Sequence, residues 1–84
     1  QSVFDTDDAV DIERILLVLA HPGDRAALRS FLCSPYAGLS AHALFALERD
    51  DAAWDAHRAT VSQLHELFLT QGFTQALRAL FVAY

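Results

Sequence analysis

The chain has 84 residues, 54% of them hydrophobic, with a mean hydropathy of +0.22, enough for one compact unit and too few for two. Acidic residues number 11 against six arginines and no lysine, and the formal net charge of -5 repels phosphate, which excludes a simple DNA-coating domain. Cys33 is the only cysteine, which excludes an internal disulfide and a Cys-rich zinc site.

Hydrophobic spacing is helical from residue 7 onward, and the predicted fold class is all-α: a compact bundle of about five short helices, a single helical segment over residues 1–84. Gln1-Ser2-Val3-Phe4 reads as a short apolar, strand-like piece. Thr6 is the expected N-cap of the first helix, with Asp7 and Asp8 favourably placed in its first turn. Ile12, Ile15, Leu16 and Leu19 form the expected inward stripe, and His21-Pro22-Gly23 ends it. Asp24 is the predicted cap of a short second helix with Ala27, Leu28, Phe31 and Leu32 inward and Arg25 and Arg29 one turn apart on another side. Cys33 is read as a small, buried, inert residue at its end.

Pro35 stops that helix, and Ser40 caps a third that carries Leu44 and Leu47 and ends near residues 48–50. Asp50 or Asp51 opens the fourth and longest, with Trp54, Val61, Leu64, Leu67 and Phe68 as its stripe and Gly72 just past its end. Thr74 is the expected cap of the last helix, whose inward face is read as Leu77, Leu80, Phe81 and Tyr84. That pattern runs to the last residue without Gly, Asn or Pro, as in an excised segment of a longer chain. The longest apolar run, residues 15–20, is far short of the roughly 20 residues a bilayer requires. With an acidic N-terminus and a lone cysteine, the expected setting is cytoplasmic, with no membrane partner.

Catalytic patterns fail on spacing. His65-Glu66 opens like a zinc-protease helix, but the second histidine would fall at Leu69. Asp5, Asp7, Asp8 and Asp11 have the composition of a calcium loop, yet its turn glycine would fall at Val10 and its bidentate glutamate at Leu16. No GxxxxGK[ST] cradle for ATP exists, and His21, His42, His57 and His65 read as surface or boundary residues. No catalytic, cofactor-binding or metal-binding residue is therefore expected in this segment.

One stretch asks for backbone geometry more than burial: Ser34-Pro35-Tyr36-Ala37-Gly38-Leu39-Ser40. Pro35 cannot continue a helix, Gly38 permits a left-handed backbone, and the free amides of a helix begun at Ser40 can meet an anion.

Taken in order, Ser2-Val3-Phe4-Asp5-Thr6, the apolar helix over 12–19, Arg25-Ala26-Ala27-Leu28-Arg29, and Ser34-Pro35 followed by Gly38-Leu39-Ser40 resemble the 2B subdomain of UvrD/RecB-type superfamily 1 helicases. Ala53-Trp54-Asp55 and Gly72-Phe73-Thr74-Gln75-Ala76-Leu77-Arg78-Ala79-Leu80 are similar to the beta subunit family of exodeoxyribonuclease V. The resemblance implies an accessory helical part of an ATP-dependent DNA helicase and exonuclease that acts in double-strand break repair and recombination. ATP and magnesium would belong to the parent chain's motor. In that family a Gly-hydrophobic-Gly turn touches duplex backbone, and Gly38-Leu39-Ser40 occupies its place with Ser for the second Gly.

The implied DNA-backbone contacts are Gly38, Leu39, Ser40, Arg25, Arg29 and His42. Partners implied are the remaining domains of the parent chain, the other subunits of a helicase-nuclease complex and duplex DNA. A docking element that packs its apolar helix faces against motor subdomains is the competing role within the same family. A free-standing helical protein-protein interaction module with no nucleic-acid role is the alternative outside it.

Overall fold

The computed structural model describes residues 7–84, with side chains from residue 9 onward, and the Ser2–Phe4 piece and the Thr6 cap lie outside them. Five helices follow in order: α1 (Asp7–Ala20), α2 (Arg25–Leu32), α3 (Ala41–Glu48), α4 (Asp51–Gln71) and α5 (Phe73–Ala83), with no strand among the described residues. The all-α bundle is as the hydrophobic spacing predicts.

Three of the helix starts rest on local side-chain caps. The Asp24 carboxylate accepts from the amides of Ala26 and Ala27 at 2.9 and 3.3 Å, Ser40 Oγ from Ala43 at 3.1 Å, and the Asp50 carboxylate from Ala53 at 3.1 Å. Each cap satisfies donors that the helix cannot, and is worth about 1 kcal/mol. The start of α5 differs from expectation: the helix begins at Phe73, with Gly72 at its N-cap and no side-chain cap, so Thr74 lies inside the helix. Gly72 is also the residue that ends α4, and at φ 91° and ψ 176° it occupies a region essentially reserved for glycine.

At 21 residues, α4 is about 30 Å long and serves as the axis, with α1, α3 and α5 packed along it and α2 against α1. The molecule is 21 Å across its thinnest direction, two helix diameters. Its core joins Ile15, Val18 and Leu19 of α1, Leu28, Phe31 and Leu32 of α2, Leu44 of α3, Trp54, Val61 and Leu64 of α4, and Ala76 and Leu80 of α5. The Tyr84 ring closes one end, edge-on to Phe31 at 5.1 Å and stacked on His57 at 5.7 Å, with its hydroxyl 2.9 Å from His57 Nδ1. Burial raises the Tyr84 phenol above its ordinary 10.0. His65 crosses from α4 to α1 and donates its Nδ1 hydrogen to the Leu19 carbonyl at 2.6 Å, satisfying one of the carbonyls that α1 leaves free at its end.

The core corrects several expected orientations. In α1 the buried side is Asp11, Ile15, Val18 and Leu19, whereas Ile12 and Leu16 are exposed. The helix is turned by roughly 60° from the expected stripe, which its apolar residues on nearly every side permit. In α5 the small Ala76 is fully buried and brings α5 close to α4, so the face rotates toward it and Phe81 is left half exposed beside Tyr36. Cys33 is exposed: one residue past Leu32, a further 100° around the helix turns it away from the core.

Candidate functional site

The turn between α2 and α3 is built by its own backbone. Ser34 N–H donates to the Phe31 carbonyl at 2.9 Å, Gly38 N–H to Ser34 at 2.7 Å, and Leu39 N–H to Leu32 at 3.0 Å. Gly38 has φ 75°, and a Cβ there would meet only the Pro35 carbonyl oxygen at 4.0 Å, so the requirement is conformational and not spatial. Tyr36, Ala37 and Leu39 fold back onto the core, while Gly38, Ser40 and His42 face solvent. The Ser34 hydroxyl is fully buried and has no hydrogen-bond partner.

Arg25 and Arg29 sit elsewhere. Both guanidinium groups reach one carboxylate oxygen of Glu48, at 3.6 and 3.1 Å, and the Arg25 guanidinium lies 4.2 Å from the centroid of the Trp54 ring. Glu48 is the last residue of α3 and Ser40 its N-cap, so the two groups lie at opposite ends of that helix, about 12 Å apart along its axis. The structure thus brings Gly38, Leu39, Ser40 and His42 together and keeps Arg25 and Arg29 apart from them, braced against α3 and α4. Such half-exposed pairs are worth about 0.2–1 kcal/mol each, and their chief effect is to spend two cations on an internal acid.

Beside this brace a cleft of about 390 Å³ opens between the α1–α2 turn and the first turns of α4, floored by Leu28 and Trp54. Its charges are largely answered from within the chain. Asp24 caps α2, Arg25 is held by Glu48 and Trp54, and Arg58 lies 3.5 Å from Asp55.

A surface that the expected stripe concealed lies on the outer side of α1. Val10, Ile12, Leu16 and Leu17 are 46%, 45%, 41% and 44% exposed on a helix whose other face is fully buried. A helix apolar all round is normally covered on every side. The signal was present in the sequence: any single stripe chosen from 7–20 leaves several large apolar residues unused. Phe45 of α3, Leu69 of α4, and Phe81 and Val82 of α5 are exposed as well. Glu48 and Trp54, by contrast, could not be assigned to Arg25 and Arg29 before α2, α3 and α4 were placed.

Among the described residues no group of three or more His, Cys, Asp or Glu side chains could hold a metal ion, and no helix is long and apolar enough to cross a membrane. No protein-family model, curated protein or solved structure matches the chain.

Proposed function

We propose that the chain is a helical docking segment of a DNA-processing motor: a UvrD/RecB-type superfamily 1 helicase, most similar to the beta subunit of exodeoxyribonuclease V, acting in double-strand break repair and recombination in the cytoplasm. The family reading is supported by the ordered residues from Ser2 to Leu80 given above. The docking role is carried by the outer face of α1, where covering the remaining apolar area is worth about 1 kcal/mol per side chain. In this reading the segment supplies contact surface, and ATP, magnesium and the nuclease chemistry belong to the parent chain's other domains.

Leu16→Glu in the full-length enzyme places a charge in that buried contact, and is expected to disrupt assembly of the motor subdomains or partner subunits while duplex DNA affinity of the assembled fraction is unchanged. Normal assembly of this variant would refute the docking role. The encoding reading frame tests the family, since it should carry a GxxxxGK[ST] loop upstream and a carboxylate-rich nuclease segment downstream.

A second contact within the same enzyme is favoured by the exposed, left-handed Gly38. The turn Gly38-Leu39-Ser40 with His42 would meet duplex backbone, whereas Arg25 and Arg29, held by Glu48, would brace the fold. Ser40→Glu should then weaken duplex binding, and a salt titration that superimposes on the wild type would overturn this contact.

A further inference from the structure

Among the described residues, the outer face of α1 is interrupted by a single charge. Glu13 is exposed, and its neighbours one turn away in either direction are Ala9 and Val10 at i−4 and i−3, and Leu16 and Leu17 at i+3 and i+4. Among the described residues nothing neutralises it: Arg14, the nearest cation in sequence, is turned to Asp11 at 3.2 Å, and Glu13 has no ion-pair partner. Any surface that covers Ile12 and Leu16 on one flank and Val10 and Leu17 on the other must also cover this carboxylate. Burying an unpaired carboxylate costs several kcal/mol and would cancel the gain from the apolar residues around it.

We infer that the partner of α1 is an apolar protein surface carrying a lysine or arginine directed at Glu13, an inference that rests on the docking role proposed above. The charge balance of the chain supports the same sign, with no lysine and a net charge of -5. A second copy is a poorer occupant. Two copies packed α1 against α1 would set Glu13 against Glu13, and the only arginine without an ion-pair or ring partner among the described residues, Arg78, lies on another helix, α5.

The test is carbene footprinting of the full-length protein that carries this segment, read by mass spectrometry at Ile12, Leu16 and Leu17, in low and high salt, for the wild type, Glu13→Gln and Glu13→Lys. Low labelling in the wild type is expected. In Glu13→Lys at low salt it should rise by at least about fivefold, with Glu13→Gln between the two. Low labelling that ignores salt and both substitutions would leave the docking role standing and overturn the cationic partner. High labelling in every sample would overturn the docking role and this inference with it. Protection that grows with protein concentration and is lost in Arg78→Glu would assign the face to a second copy and overturn the inference.

Discussion

Gly72 joins α4 to α5 at φ 91° and ψ 176°, and a Cβ added there would meet nothing within 4 Å. Replacing it with alanine therefore introduces no collision with neighbouring atoms, and the cost is confined to the backbone. An L-residue held in this region costs about 1–3 kcal/mol, against which the restricted unfolded chain returns about 0.4–1 kcal/mol. The net expectation for Gly72→Ala is a loss of about 1–2 kcal/mol, which for an 84-residue chain lowers Tm by roughly 6–12 °C. Thermal and urea unfolding followed by far-ultraviolet circular dichroism measures it. Gly23→Ala is the matched control, because Gly23 also has open space around its Cα but no positive φ, and it should be neutral or stabilising by up to about 1 kcal/mol. A D-alanine at residue 72, introduced by chemical synthesis, should equal or exceed glycine because it prefers the mirror-image region. If Gly72→Ala proved as stable as Gly23→Ala, the account of the α4–α5 junction as a conformational requirement would be wrong.

Two further outcomes follow from single side chains. Ser34→Ala removes a fully buried hydroxyl that has no partner, so the unfolding free energy from urea titration should hold or rise by up to about 1 kcal/mol, and a clear loss would mean that the hydroxyl is engaged. Burial holds the Tyr84 phenol above its ordinary 10.0, so its contribution to stability is complete below that pH and is lost as pH rises through the raised folded value. Urea midpoints should therefore fall with rising pH in that alkaline window, and Tyr84→Phe should flatten the fall even if it lowers stability at neutral pH by removing the contact with His57.

What could be read in advance divides by the range of the interaction. Asp24 and Ser40 were legible as caps, and the cap of α4 as Asp50 or Asp51, because each bonds an amide two or three residues away, within the reach of local sequence; the structure selects Asp50. The inward face of α2 was equally clear, since Leu28, Phe31 and Leu32 carry its large apolar side chains on one side with Ala27, and Arg25, Arg29, Ser30 and the small Ala26 occupy the rest. α1 offered no such contrast: with apolar side chains all around, periodicity could not choose between Ile12 and Val18, and packing against α2 and α4 made the choice. Thr74 was the better cap by residue preference, yet Gly72 turns the chain so sharply that α5 is already under way at Phe73. Of the candidate contact residues, the turn Gly38-Leu39-Ser40 and His42 were placed together by sequence alone. The capture of Arg25 and Arg29 by Glu48 spans 19 residues in the case of Arg29 and depends on the crossing of α2 with α3, which no local pattern encodes.

The hydrogen bond from His65 to the Leu19 carbonyl gives α1 a second kind of significance. One side of that helix meets whatever lies outside the bundle, and the other end of the same rigid rod rests on an imidazole. A partner that tilted α1 by even a few degrees would stretch this bond and alter the ring's magnetic environment. The nuclear resonance of one histidine thus offers an internal gauge of whether something has settled on the opposite face.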